Sequence, residues 1–230
     1  MSAPFVIDSF QDFTDKVAHH PSPLLFRGQP RDYGSIKPKA GRHTSADSNQ
    51  LLIHEQNAFE LFRLHGAPYL PQNADDWTLL ALAQHHGLPT RLLDWTYNPA
   101  VALYFACCSE FDQNGELITL YHSERVDIRQ DADPFKIAKI GIYYPPRLDP
   151  RMAMQDGVFT AHPDPAEGVD GLLHDKAIVT AERKHEYIKR LDRLGISRAT
   201  LFPGLDSLCL WISDIKVYQT TSPVSPARSS

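Results

Sequence analysis

The sequence predicts a single α/β (α+β) domain in which a small mixed sheet is flanked by helices. Three observations predict it. The 230 residues are 42% hydrophobic and 22% charged, the balance of a soluble globular chain able to bury a substantial core. Apolar residues at helical spacing are interleaved with short apolar runs bounded by Gly, Pro and Asn, so helices and strands mix along the whole chain. No internal repeat and no linker separates two cores. The strands do not alternate regularly with the helices, which favours a mixed sheet over a doubly wound one. The domain is placed at residues 1–219, with the Ser- and Pro-rich tail 220–230 read as disordered.

Taken in order, Ser9 is an N-cap for a first helix carrying Phe10, Phe13 and Val17, ended by His19, His20 and Pro21. Leu24–Phe26 reads as a short buried strand that ends at Arg27-Gly28. Residues 29–48 form a polar loop, long for a compact domain, and loops of that length are often lids or binding loops. Leu51, Leu52, Glu55, Phe59 and Phe62 mark an amphipathic helix stopped by Gly66 and Pro68. Asp75 or Asp76 caps the next helix, which runs to His85 or His86, with Gly87 as the left-handed residue after its end and Pro89 blocking continuation. Thr90–Thr96 is a loop or short strand, and Asn98-Pro99 supplies N-cap and first helical residue for a helix over Ala100–Phe111. Strands are expected at Glu116–Tyr121, at Ile140–Tyr144, around Val158-Phe159 and at Lys176–Ala181. Residues 122–139 carry little pattern. Helices are expected at Glu182–Leu194, closed by Gly195, and from about Leu205 to Val217.

A net charge of −5 without a Lys/Arg-rich run gives no general footprint for nucleic acid, so a nucleic-acid or protein target has no support from charge. Cys107, Cys108 and Cys209 form no C-x-x-C and no metal spacing, and the adjacent Cys107 and Cys108, inside an apolar helix, read as small buried hydrophobes of a reducing cytoplasm. His162 and His174 do not make a metal spacing, and no metal is expected. The N-terminus lacks the pattern of a signal peptide, and the longest apolar run, Pro99–Cys108, falls far short of a membrane span. A soluble, cytoplasmic protein is expected.

The densest polar stretch is Gln84–Phe105, reading QHHGLPTRLLDWTYNPAVALYF, and a smaller knot lies at Leu24–Gln29, reading LLFRGQ. The two are expected to face each other across one pocket. Arg27, delivered by an apolar strand, is costly to bury unpaired; its fork suits a carboxylate or phosphate, or else an acid of this chain such as Asp94. Gly28 lets a ligand or another backbone come close. His85 and His86 end a helix, where a cation is favoured; neighbouring helical residues point about 100° apart, so one of them at most enters the pocket, and His85 is nearer the register of Leu82. Gln84, Thr90, Arg91, Asp94 and Thr96 are polar groups on an apolar, tied-down segment. Asp94 pairs with Arg91, or orients Arg27 or a histidine. Trp95 offers a flat face for a base or a nicotinamide ring, while Tyr104 and Phe105 read as core. The G-x-S-x-G, Walker A, G-x-G-x-x-G and H-E-x-x-H patterns are all absent.

FRGQ at Phe26–Gln29, QHHGLPTRLLDWTYNPAVALYFA at Gln84–Ala106, QDGVFT at Gln155–Thr160 and TLFPGLDSL at Thr200–Leu208 resemble the FRG domain of bacterial proteins, over residues 24 to 212. A weaker resemblance is to mono-ADP-ribosyltransferases, and it implies a sheet of that kind with NAD as the substrate. On it, Arg27 matches the strand-borne Arg that holds the NAD diphosphate and ribose. Asp94-Trp95-Thr96 match the Ser-Thr-Ser segment, and Ala102–Phe105 the helix behind it. Gln155-Asp156-Gly157 fall where that class has Glu-x-Glu. The catalytic Glu position is therefore Gly157, and Asp156 or Glu182 would have to replace it.

The resulting expectation is a nucleotide-like ligand held by Arg27, Gly28, Gln84, His86, Arg91, Trp95, Thr96 and Gln155. Arg27, His85 and Asp94 are the residues expected to act in glycosidic cleavage and ADP-ribose transfer, as in a bacterial toxin or phage-defence effector. The alternative is a non-catalytic nucleotide- or anion-binding module.

Overall fold

The computed structural model describes residues 4–19, 24–42, 47–121, 127, 130–147 and 153–217. The patternless stretch 122–139 falls partly, and the tail 220–230 wholly, outside the described residues.

Seven strands form one mixed sheet: β1 (Phe5–Ile7), β2 (Leu25–Gln29), β3 (Leu92–Thr96), β4 (Gly115–Leu120), β5 (Gly141–Tyr143), β6 (Gly157–Ala161) and β7 (Leu173–Val179). Their spatial order is β1-β7-β4-β2-β3-β6-β5. β1 runs parallel to β7, and every other neighbouring pair is antiparallel. Seven α-helices accompany the sheet among the described residues: α1 (Phe10–Ala18), α2 (Ser48–Gly66), α3 (Asp76–His85), α4 (Pro99–Cys107), α5 (Ala181–Arg193), α6 (Arg198–Leu201) and α7 (Leu205–Trp211). None is long and apolar enough to cross a membrane.

Cross-strand partners share a face of the sheet. Leu24, Phe26, Leu117, Ala177 and Val179 accordingly pack with Phe13 of α1, with α4, and with Tyr187 and Leu191 of α5. On the same face, Leu92, Phe159, Ala161 and Tyr143 pack with Phe59 of α2 and with Trp77 and Leu80 of α3. The opposite face, with Leu25, Leu93, Trp95, Ile118 and Val158, is covered by Ile36 and Val169, which come from segments outside the α-helices and strands.

The sheet has one thin seam. β2 pairs with β4 at five positions, and β3 pairs with β6 at five, but β2 and β3 meet only at Phe26↔Thr96. The main-chain groups beyond that point need other partners. Asp94 O finds one in the Arg27 guanidinium, whose Nη1 donates to it at 2.8 Å.

Several caps follow the sequence closely. Ser9 and Asp12 close a capping box on α1, and Asp75 accepts from Thr78 N at the start of α3. At the end of α3, Gly87 has φ +93°, its N–H donates to Gln84 O, and Leu88 N–H donates to Ala83 O. Those two bonds make a Schellman motif. Asn98 Oδ1 accepts from Ala100 N and Val101 N, with Pro99 as the first residue of α4.

Three expectations needed correction. β2 does not stop at Arg27-Gly28 but carries both inside a paired strand. α4 ends at Cys107 rather than Phe111, because Glu110 takes φ +47° and the carbonyls of Ser109 and Glu110 are captured by Lys184 Nζ at 3.1 and 2.8 Å. Edge strand β1 was not anticipated, because a run of three residues carries too short a period to register.

Candidate functional site

A cavity of about 310 Å³ opens at the seam. Its floor is Phe26, Arg27 and Gly28 of β2 with Asp94–Thr96 of β3 and Gly157–Phe159 of β6. Gln84 and His85 at the end of α3 form one side, and Val101 and Phe105 of α4 the other. Pro145, Gln155 and Phe202 complete it.

Each polar group reaches the cavity for a traceable reason. Gly28 is there because a Cβ would lie 1.8 Å from Ala102 O, so α4 can rest on β2 only over a glycine. The close approach it permits is thus to a helix backbone. The Schellman turn at Gly87 stops α3 just after Gln84 and His85, leaving both at the rim. Gln84 Nε2 donates to Asp94 Oδ2 at 2.8 Å while its Oε1 accepts from Thr90 Oγ1 at 2.8 Å, so the amide orientation is fixed from both ends. Asp94 keeps 58% of its side chain exposed, and Arg27 15%.

Arg27 Nη1 lies 3.9 Å from Asp94 Oδ2, a loose ion pair, and Nε makes a long 3.5 Å contact with Gln29 Oε1. Nη2 has no hydrogen-bond partner among the described residues. Burial lowers the Arg27 pKa from its ordinary value, with the Asp94 carboxylate pulling it back up. An arginine starting so far above neutrality stays charged. The cavity therefore presents a cation with an open edge, a hydrogen-bonded carboxylate and a histidine against apolar walls. Asp94 is the single carboxylate among its described lining residues.

The other predicted site residues either stand outside the cavity or line it with their polar groups committed elsewhere. Arg91 is wholly buried, bound through Nη2 and Nε to Glu55 Oε2 at 2.8 and 3.1 Å and through Nη1 to Pro163 O at 3.2 Å. It ties α2 to the sheet and does not reach the cavity, so it pairs with Glu55 rather than Asp94. His86 is exposed and outside the lining, one helical step round from His85. The Trp95 ring lies on the far face of the sheet, 3% exposed, with Nε1 donating to Thr160 Oγ1 at 3.0 Å. It offers no stacking platform. The Thr96 hydroxyl donates to Gln155 O at 2.7 Å and accepts from Asn98 N at 3.0 Å, so it braces the β3–α4 corner. Gln155 lines the cavity, with its Nε2 committed to Leu201 O at 3.1 Å. Asp156 pairs with Arg147 at 3.0 Å, and neither Asp156 nor Glu182 lines the cavity.

Sequence reading missed the apolar walls. Phe159 and Phe202 sit inside two of the quoted motifs, yet an isolated Phe reads as core until the fold places it. Phe105 was read as core; it meets Phe202 edge to face, centroids 6.0 Å apart at 86°, across the mouth. Among the described residues, no group of three or more His, Cys, Asp or Glu is placed to hold a metal ion.

Residues 22–115 match the family model of the FRG domain. The match takes in β2, α3, β3 and α4, the elements that carry Arg27, Gln84, His85 and Asp94, and stops at the first residue of β4. No curated protein and no solved structure matches the chain.

Proposed function

We propose, on the match of residues 22–115 to the FRG domain model, that the seam cavity binds an NAD-like nucleotide and cleaves its nicotinamide–ribose bond. The observation that carries the reading is the convergence of Arg27 and Asp94, 67 positions apart in sequence, on one cavity wall. The free edge of Arg27 suits a phosphate oxygen. The Asp94 carboxylate is steadied by Gln84 and stands where positive charge on a ribose C1′ would be stabilised as the C–N bond breaks. Nicotinamide leaves with the bonding electrons. Water or a target nucleophile then forms the new bond at C1′, and its proton goes to solvent or to His85 at the rim. The Val101, Phe105 and Phe202 side chains provide the apolar surface against which a planar ring is held. An NAD-consuming activity of this kind suits a toxin or phage-defence effector.

Purified protein incubated with NAD is expected to release nicotinamide, and Arg27→Ala to reduce release at least tenfold, roughly one lost charge-assisted contact. Equal release by both proteins, at the background rate, sinks the reading.

A second reading has its own observation. The position that the ADP-ribosyltransferase resemblance gives to a Glu is Gly157, and among the described residues no second acid lines the cavity. The site would then bind the nucleotide, or another anion, without turnover. Thermal stabilisation by NAD that Arg27→Ala abolishes, with no nicotinamide released, selects this reading over the first.

A further inference from the structure

We propose that Thr90, a residue outside the cavity, is a positioning residue for Asp94 and acts on it through the Gln84 amide. This rests on the cleavage reading above and goes beyond it by giving a buried hydroxyl a part in the reaction.

Thr90 is wholly buried and does not line the cavity. Its main chain is held by the turn Lys39–Arg42, where Ala40 N donates to Thr90 O at 3.2 Å. Its hydroxyl stands between two groups. Leu92 N, at the start of β3, donates to Oγ1 at 3.2 Å, and Oγ1 donates to Gln84 Oε1 at 2.8 Å. A hydroxyl has one proton to give. The Leu92 N–H can only donate, so that proton goes to Gln84 Oε1, the acceptor the hydroxyl meets among the described residues.

The consequence runs to the cavity. With Oε1 taken by Thr90, Gln84 turns Nε2 toward Asp94 and donates to Oδ2 at 2.8 Å. The reversed amide would set Oε1 against the carboxylate and leave the Thr90 proton buried without an acceptor, which costs free energy at both ends. Arg27 Nη1 approaches the same oxygen, at 3.9 Å. Both contacts fall on Oδ2, and Oδ1 accepts no hydrogen bond among the described residues. With 58% of its side chain exposed, Asp94 is not fixed by packing, so this hold on one oxygen sets its orientation and leaves the other for the substrate. The chain from Leu92 N–H through Thr90 and Gln84 to Asp94 points every donor one way, and bonds in such a chain polarise and strengthen one another.

The test follows nicotinamide release from NAD by the full chain, with kcat and KM resolved, in wild type, Gln84→Met, Gln84→Glu, Thr90→Val, Thr90→Ser and the double variant Gln84→Met with Thr90→Val. Gln84→Met should lower kcat about tenfold with KM within about twofold, because one hydrogen bond to a charged group is lost and the Arg27 contact to phosphate is untouched. Gln84→Glu keeps the length and an acceptor for Thr90 but turns a second carboxylate on Asp94, so it should be slower still. Thr90→Val should lower kcat about fivefold, and Thr90→Ser should restore it. In the Gln84→Met background, Thr90→Val should lower kcat no further. Thr90→Val also strips the Leu92 N–H of its acceptor and should unfold at a lower temperature, an effect the double variant separates from that on kcat. If Thr90→Val slows release by the same factor with and without Gln84, Thr90 acts through the fold, and the positioning role is wrong while the cleavage reading stands. A wild-type rate in Gln84→Glu overturns the positioning role too, whether or not Thr90→Val folds. If wild type releases no nicotinamide, the cleavage reading falls and the positioning role with it.

Discussion

Arg27 and Arg91 show how one residue type takes opposite roles a few residues' packing apart. Arg91 has two contacts to one carboxylate and two carbonyls, and it is closed to ligands. Arg27 has one carbonyl, a carboxylate at 3.9 Å and an open edge. Breaking the buried pair by Arg91→Met should cost about 3–5 kcal/mol in urea unfolding, and Glu55→Leu with Arg91→Met should recover much of it, because a lone buried charge is worse than none. A loss below about 1 kcal/mol would show that the pair is not desolvated as its geometry implies. The cysteines give a second check at this scale. Burial pushes the Cys107 thiol up to about 12, and Cys209 is exposed. A thiol reagent should therefore modify Cys209 in the native protein, while Cys107 stays protonated and silent when the pH is raised from 7 to 9, reacting only on unfolding. Native modification of Cys107 at neutral pH would contradict its placement in α4.

At the scale of elements, local chemistry was legible wherever one residue does one job. Gly87, Asn98-Pro99, Ser9 and Asp75 were readable because caps and left-handed turns have few solutions. The extent of β2 was not, because Arg-Gly looks like the end of a strand until the helix that needs Gly28 is seen lying on it. Arg91 was misread as a cavity residue, and the Trp95 ring as a stacking platform, for a related reason. A strand alternates its faces, and adjacent positions in LLDWT go to opposite sides of the sheet, which the sequence alone does not assign to helix or loop cover. Gly28→Ala tests the α4–β2 contact. A methyl 1.8 Å from Ala102 O forces the helix off the strand, and the variant is expected to lose several kcal/mol or fail to fold. Asn98→Ala, which removes two N-cap acceptances, should cost about 1 kcal/mol in chemical denaturation. Near-wild-type stability of Gly28→Ala would mean that α4 sits elsewhere.

For the whole molecule, the seam between β2 and β3 decides where function can be. Two half-sheets are joined by one register pair, and Arg27 fills the gap beyond it. The seam is the least bonded line of the sheet. In native-state hydrogen exchange, the Phe26 and Thr96 amides should open at a lower free energy than those of β4, which is paired along both edges. A nucleotide that bridges Arg27 and Asp94 spans this line, so its binding should raise protection on both sides together. The mixed sheet was legible from the uneven mixing of helices and strands. The seam was not, because it is a missing set of pairings, and absent pairings leave no sequence pattern.

The central claim is that Arg27 and Asp94 serve one nucleotide site in separable roles, and one measurement tests it most directly. NAD binding and nicotinamide release are followed in the same samples of wild type, Arg27→Ala and Asp94→Asn. The prediction is that Arg27→Ala loses at least tenfold in affinity, whereas Asp94→Asn, which keeps the side-chain shape and a hydrogen-bonding oxygen, binds within a few-fold of wild type and releases nicotinamide at least a hundredfold more slowly. Wild-type affinity in Arg27→Ala, or undiminished release in Asp94→Asn, would contradict it.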